Sequence, residues 1–197
     1  MKPIICAVGL LILVAVGAGA FIWSGAYNVA ADQPHWRLTE QLMATLRERS
    51  IAARQSEAGM PDLDDQSLVQ AGAGNYEAMC EGCHLAPGGS ATELSIGLYP
   101  APPDLSKDDT EDPAEAFWSI KHGIKMSGMP AWGKSMDDAS IWGMVAFIRK
   151  LPDMSADQYR ELVESSGGHS HGGGDAAPEE AAKTHVHADG SQHEHKD

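Results

Sequence analysis

The sequence is poor in cysteine and in positive charge. Three cysteines in 197 residues exclude a disulfide framework, which needs several matched pairs. Fourteen Lys and Arg stand against 28 Asp and Glu, for a formal net charge of −14. That balance argues against a nucleic-acid binder, which needs a basic face. There is no second C-x-x-C beside the one at Cys80 and Cys83, and no βαβ pattern. Paired zinc ligands and a thioredoxin-like redox site are both disfavoured by those two absences. Two further absences divide the chain: its first stretch lacks charge and its last lacks apolar residues.

Pro3 to Trp23 is uncharged and consists almost wholly of Ile, Leu, Val, Ala and Gly. Roughly twenty such residues in a helix rise about 30 Å, the thickness of a bilayer's hydrocarbon core. Lys2 is the one charge before it, which keeps the N-terminus in the cytoplasm, and Trp23 and Tyr27 fall where interfacial aromatics sit. Residues 1–30 are therefore read as a single-pass transmembrane anchor or a cleaved signal peptide. The anchor is favoured because the apolar run continues past Ala18-Gly19-Ala20, the small-x-small site at which a peptidase would cut. Either way the remainder is exported. The expected location is the bacterial inner membrane with the soluble part in the periplasm, or the periplasm itself after cleavage.

The exported part contains Cys80-Glu81-Gly82-Cys83-His84. C-x-x-C-H is the attachment signature of c-type haem. Two thiols three residues apart can sit on one helical turn and add to the two vinyl groups of a porphyrin, and the adjoining His84 can give a ring nitrogen to the iron. One covalent haem c is the expected cofactor.

Around this motif the pattern is all-α, a small helical domain over 63–163. Asp32 to Gly59 reads as a helix capped by Asp32 with Pro34 in its first turn, a linker or stalk within 31–62. His35 reads as a surface histidine, with haem or metal ligation as the alternative. Met60-Pro61-Asp62 marks the domain boundary. Asp64 or Asp65 caps a helix reaching about Cys80, with Leu68, Gly72, Tyr76 and Met79 along one stripe. Leu85 to Lys107 is too rich in Pro and Gly for regular helix or central strand. A planar apolar cofactor accounts for such a loop, with Leu94, Ile96, Leu98 and Leu105 as wall residues. A short helix over Pro113 to Gly123 and a last one from Asp137 or Asp138 through Lys150 follow, with one more helical piece at Ser155 to Val163. Residues 164–197 are expected to be disordered.

From about Asp65 to Leu151 the chain resembles a class I cytochrome c domain. The resemblance rests on C-x-x-C-H after a helix, the Pro-rich loop, Gly128-Met129-Pro130-Ala131-Trp132 and a C-terminal aromatic helix with Trp142 and Phe147. It implies that Met129 is the sixth iron ligand, with Met126 in reserve and His122 as a rival. It also implies that the carbonyl of Pro102 or Pro103 accepts the Nδ1 proton of His84, and that Leu105 and Trp132 lie at the cofactor. Gly72 and Tyr76 take the helix-crossing positions.

Two axial protein ligands leave the iron no open position, which points to one-electron transfer rather than catalysis, whether alone or as a subunit of an oxidoreductase complex. The expected role is a carrier between membrane respiratory complexes or dehydrogenases and a terminal acceptor. Lys121, Lys125 and Lys134 lie in a stretch from Phe117 to Ser135 without an acid, so an acidic redox partner is expected near Lys121 and Lys125. Two alternatives stand beside this. The tail carries His169, His171, His185, His187, His193 and His195, a set suited to Cu, Ni or Zn. The iron itself could open by loss of Met129 and serve as a haem-based sensor.

Overall fold

Two helices cross at a pair of glycines, and the rest of the body is assembled round that crossing. In the computed structural model, residues 2–108, 110, 112–170, 184–186 and 192–194 are described. The helices are α1 (Lys2–Ser24), α2 (Arg37–Ala52), α3 (Gln66–Met79), α4 (Glu81–His84), α5 (Glu93–Gly97), α6 (Pro113–His122), α7 (Asp138–Ile148) and α8 (Ala156–Ser165). Trp132–Lys134 and Leu151–Asp153 form 3-10 turns.

At the crossing of α3 and α7, a Cβ on Gly72 would run into the Gly143 carbonyl and lie 2.9 Å from Met144 N. Only hydrogen at that position lets the two backbones approach so closely. Ala73, Tyr76, Ile141, Met144, Val145, Phe147 and Leu151 are fully buried around it. Tyr76 and Phe147 rings lie 5.3 Å apart, and Trp142 stacks on Phe117 of α6 at 4.1 Å. Gly72→Ala is expected to cost about 3 kcal/mol, the high end for overpacking, because the obstacle is backbone and cannot rotate away. Thermal unfolding of the haem-loaded protein checks this; an unchanged midpoint contradicts it.

Helix starts follow the capping residues. Asp65 accepts from Ser67 N and Asp137 from Ser140 N, which selects Asp65 over Asp64 and Asp137 over Asp138. Asp64 pairs instead with Lys150. Asp112 accepts from Ala114 N and Glu115 N, with Pro113 opening α6. Ser155 and Gln158 cap α8 reciprocally.

Three expectations are corrected. Helix α2 begins at Arg37, not at Asp32, and Trp36 at its N-cap is extended (ψ 139°) without a side-chain cap. Pro34 disfavours helix in the residue before it, and the backbone N–H of His35 is drawn to Tyr99 Oη at 3.0 Å. The Pro-rich loop does contain a helix, α5, because Thr92 and Ser95 form a capping box. That turn brings Leu94 to the C-x-x-C-H segment, its Cδ1 3.6 Å from where a Cβ on Gly82 would lie.

The third correction concerns the tail. The packed chain continues past Val163: α8 runs to Ser165, and Ser165 to Ser170 lies along α3. Gln70 Nε2 donates to Ser165 O, and the buried Asn75 accepts at Oδ1 from Ser170 N at 2.8 Å, with His169 Nδ1 3.0 Å away. Further on, β1 (Thr184–Val186) and β2 (Gln192–Glu194) pair antiparallel, with His185 opposite His193. His171, His187 and His195 lie outside the described residues.

Candidate cofactor site

Cys80 ends α3 and turns the chain into the four-residue α4. Its carbonyl accepts from both Cys83 N (3.0 Å) and His84 N (2.8 Å), which gathers both thiols and the imidazole on one turn. Both thiols are free. Cys80 is buried with its Sγ 3.9 Å from Met144 Sδ. Burial pushes its thiol up to about 12, with the neighbouring Cys83 adding to the shift.

Four contacts fix this turn from outside. Tyr76 Oη donates to Leu85 O at 2.6 Å and Tyr159 Oη to Glu81 Oε2 at 2.7 Å. Thr92 Oγ1 donates to Gly82 O at 2.5 Å, and Leu105 N to His84 O at 3.1 Å. Leu85 is held at φ 65°, a left-handed conformation that a branched side chain adopts only under surrounding constraint. Burial raises the pKa of both tyrosines far above the ordinary phenol value, so each stays a neutral donor.

His84 Nδ1 lies 2.9 Å from the Pro103 carbonyl. A carbonyl can only accept, so Nδ1 carries the proton and Nε2 keeps its lone pair. The contact distinguishes Pro103 from Pro102. Burial lowers the His84 pKa, opposed by that hydrogen bond, which leaves a neutral imidazole, the form that binds metal.

The opposing loop starts where α6 ends at Gly123, with φ 64°. A Cβ there would lie 2.7 Å from Pro130 C, so the loop folds directly back over the helix end. Ile124 N donates to Met129 O at 3.2 Å, and Ser127 Oγ bridges the turn by accepting from Met129 N and donating to Ile124 O. Gly128 abuts Leu98, an added Cβ falling 3.1 Å from Leu98 Cδ1, which joins this loop to the Pro-rich one. Met129, Leu105 and Trp132 are half-buried, and each packs against the core. Met126 is 79% exposed at φ 61°. His122 is exposed, its ring tilted against Trp118 at 4.9 Å.

Two of the remaining sequence expectations change. Lys121 is not a free cation, because Asp138, from just beyond the acid-free stretch, lies 2.6 Å from its Nζ. Lys125 and Lys134 remain exposed. His35 engages Tyr27 Oη through Nδ1 at 2.8 Å, and its ring lies edge-on to Tyr99 at 5.0 Å. Among the described residues no group of three or more His, Cys, Asp and Glu gathers into a metal site. Sequence reasoning missed Gly143, Thr92, Tyr99 and Tyr159; of these only Thr92, three residues before a capping serine, carried a local signal.

The residues present fit a covalently held haem. Two unpaired thiols share one turn with a neutral imidazole of fixed tautomer, and a thioether with apolar neighbours stands on a separately pinned loop. When bound, the group supplies a one-electron Fe(III)/Fe(II) couple.

Residues 67–148 match the family model described as Cytochrome C oxidase, cbb3-type, subunit III. No curated protein and no solved structure matches the chain. Helix α1 provides, over Pro3–Ser24, one apolar span long enough to cross a membrane. The helical body built on the Gly72–Gly143 crossing and the C-x-x-C-H turn is a c-type cytochrome domain, on a chain whose N-terminal helix fits membrane anchoring.

Proposed function

We propose that the chain is a membrane-anchored periplasmic one-electron carrier, with a single haem c bonded to Cys80 and Cys83 and ligated by His84 and Met129. The observation that carries this is the His84–Pro103 hydrogen bond, since it leaves Nε2 free to ligate and holds the ring against rotation. Pro103 raises the basicity of the ring through its carbonyl. Met129 supplies a soft neutral sulfur that favours ferrous iron and raises the potential. With His84 and Met129 both given to the bound group, the chain would exclude substrate from it and would transfer single electrons rather than catalyse a reaction. The anchor confines the search for membrane-bound partners and raises their effective concentration. The donor is a quinol- or substrate-oxidising enzyme and the acceptor a terminal oxidase or reductase. Carbon monoxide is expected to leave the spectrum of the ferrous protein unchanged. Formation of a carbonyl adduct contradicts a closed iron and favours the sensor.

Partner docking rests on Lys125, with Lys121 contributing less because Asp138 offsets its charge. Lys125→Gln is expected to slow electron delivery to an acidic acceptor several-fold at low salt and little at high salt. Stopped-flow oxidation across an ionic-strength series reads this, and a salt-independent rate removes the docking role.

Metal capture by the tail is a second function, favoured by the register that sets His185 opposite His193. Each begins an H-x-H pair, and neutral imidazoles suit Cu(II), Ni(II) and Zn(II). Because Ser165 to Ser170 packs on α3, truncation after Ser170 is the clean deletion. Titration with Cu(II), Ni(II) or Zn(II) is expected to lose its high-affinity phase while the haem spectrum persists; an unaltered titration contradicts capture.

A further inference from the structure

The strongest unused feature lies on α2. Its inner face is spent on the domain: Ile51 is buried, Met43 and Ala44 are half-buried, and Gln55 just beyond the helix donates to Asp112 at 2.8 Å. Its outer face carries Leu38, Leu42 and Leu46, which are 77%, 65% and 60% exposed. At four-residue spacing these span only about 80° of the helix surface, a single apolar stripe. Gln41 and Thr45 flank it without charge, and charge reaches this face only in the last turn, at Glu48 and Arg49.

We propose that this outer face of α2 lies on the membrane surface, with Leu38, Leu42 and Leu46 set into the boundary between headgroups and acyl chains. The occupant follows from where the helix begins. The Trp36 ring lies 5.9 Å from Phe21, in the last turn of the apolar span, and 5.0 Å from Tyr27. A Trp–Tyr pair against the end of a spanning helix belongs at headgroup level. Leu38 follows two residues later, so the stripe starts at that level. An interfacial helix buries its apolar face about 5–10 Å deep while its other face stays polar or protein-bound. Helix α2 is then a layer between bilayer and cytochrome domain rather than a stalk that lifts the domain away. Through the His35 N–H to Tyr99 Oη bond it also fixes which side of the Pro-rich loop, and so of the haem crevice, faces the membrane.

The test uses the full haem-loaded chain in vesicles of phosphatidylethanolamine and phosphatidylglycerol, with Cys6→Ser to silence the anchor thiol. Leu42→Cys and, separately, Leu46→Cys are reacted with a bulky, membrane-impermeant maleimide, and Glu57→Cys in the exposed loop after α2 is the reference. The expected result is loss of labelling at positions 42 and 46 relative to 57, without disulfide-linked dimers under oxidation. Labelling at 42 and 46 as fast as at 57 overturns the proposal. Efficient 42–42 cross-linking also overturns it, by making a second copy the occupant. An unchanged visible spectrum in each variant establishes that the domain is intact, so folding defects do not enter the comparison.

Discussion

Replacing Cys80 and Cys83 together with alanine is expected to give membranes without covalently bound haem and a chain that fails to accumulate. The two losses have one cause. Around α3, α6 and α7 the core is ordinary helix packing, but Leu85 to Lys107 contributes little to it. That segment is held by a few polar contacts, His84 to Pro103, Leu105 to His84 and Thr92 to Gly82. Without a bonded cofactor those contacts compete with water, where each intramolecular hydrogen bond nets only about 1 kcal/mol. The single variants separate attachment from ligation: Cys83→Ala keeps His84 and one thioether, so its haem should remain visible on a denaturing gel. A double variant that stays folded with native redox behaviour would contradict attachment at these thiols.

Met129→Ala is expected to produce the second large effect. The long-wavelength ferric band of sulfur ligation should disappear, and the potential should fall by a sizeable part of the roughly 0.8 V range that axial ligands command. Met126 cannot substitute without rebuilding the turn, being exposed and at positive φ, whereas Met129 sits on the core with its amide and carbonyl both hydrogen-bonded. Met126→Ala should therefore leave band and potential in place. If Met126→Ala removes the band instead, the two roles are exchanged. If the unsubstituted protein shows no such band, His122 becomes the ligand, although its exposed ring rests on Trp118.

The parts legible beforehand were those in which chemistry is tied to local spacing. C-x-x-C-H announces its cofactor because one helical turn must present two thiols and an imidazole. Gly72 and Tyr76 announce a helix crossing because they fall four residues apart on a stripe. Capping aspartates announce α3 and α7 to within one residue. What stayed hidden depended on distant partners. Pro102 and Pro103 are indistinguishable until the His84 ring is seen against one carbonyl. Gly143 gains its meaning only from Gly72 on the other helix. The acid-free run from Phe117 to Ser135 looked uniformly basic, yet Asp138 reaches into it and engages Lys121. Asp32 and Pro34 looked like a helix start, but the Tyr99 hydroxyl, 64 residues from His35, keeps that segment extended. The same contact ties the anchor side of the molecule to the Pro-rich loop that also carries Pro103.

The most direct measurement is the alkaline pyridine spectrum of the purified full-length protein, combined with haem staining after denaturing electrophoresis. One c-type haem per chain, retained through denaturation and absent when both thiols are replaced, is the expected result. A colourless chain, or a haem that acid–acetone extracts intact, would contradict the account.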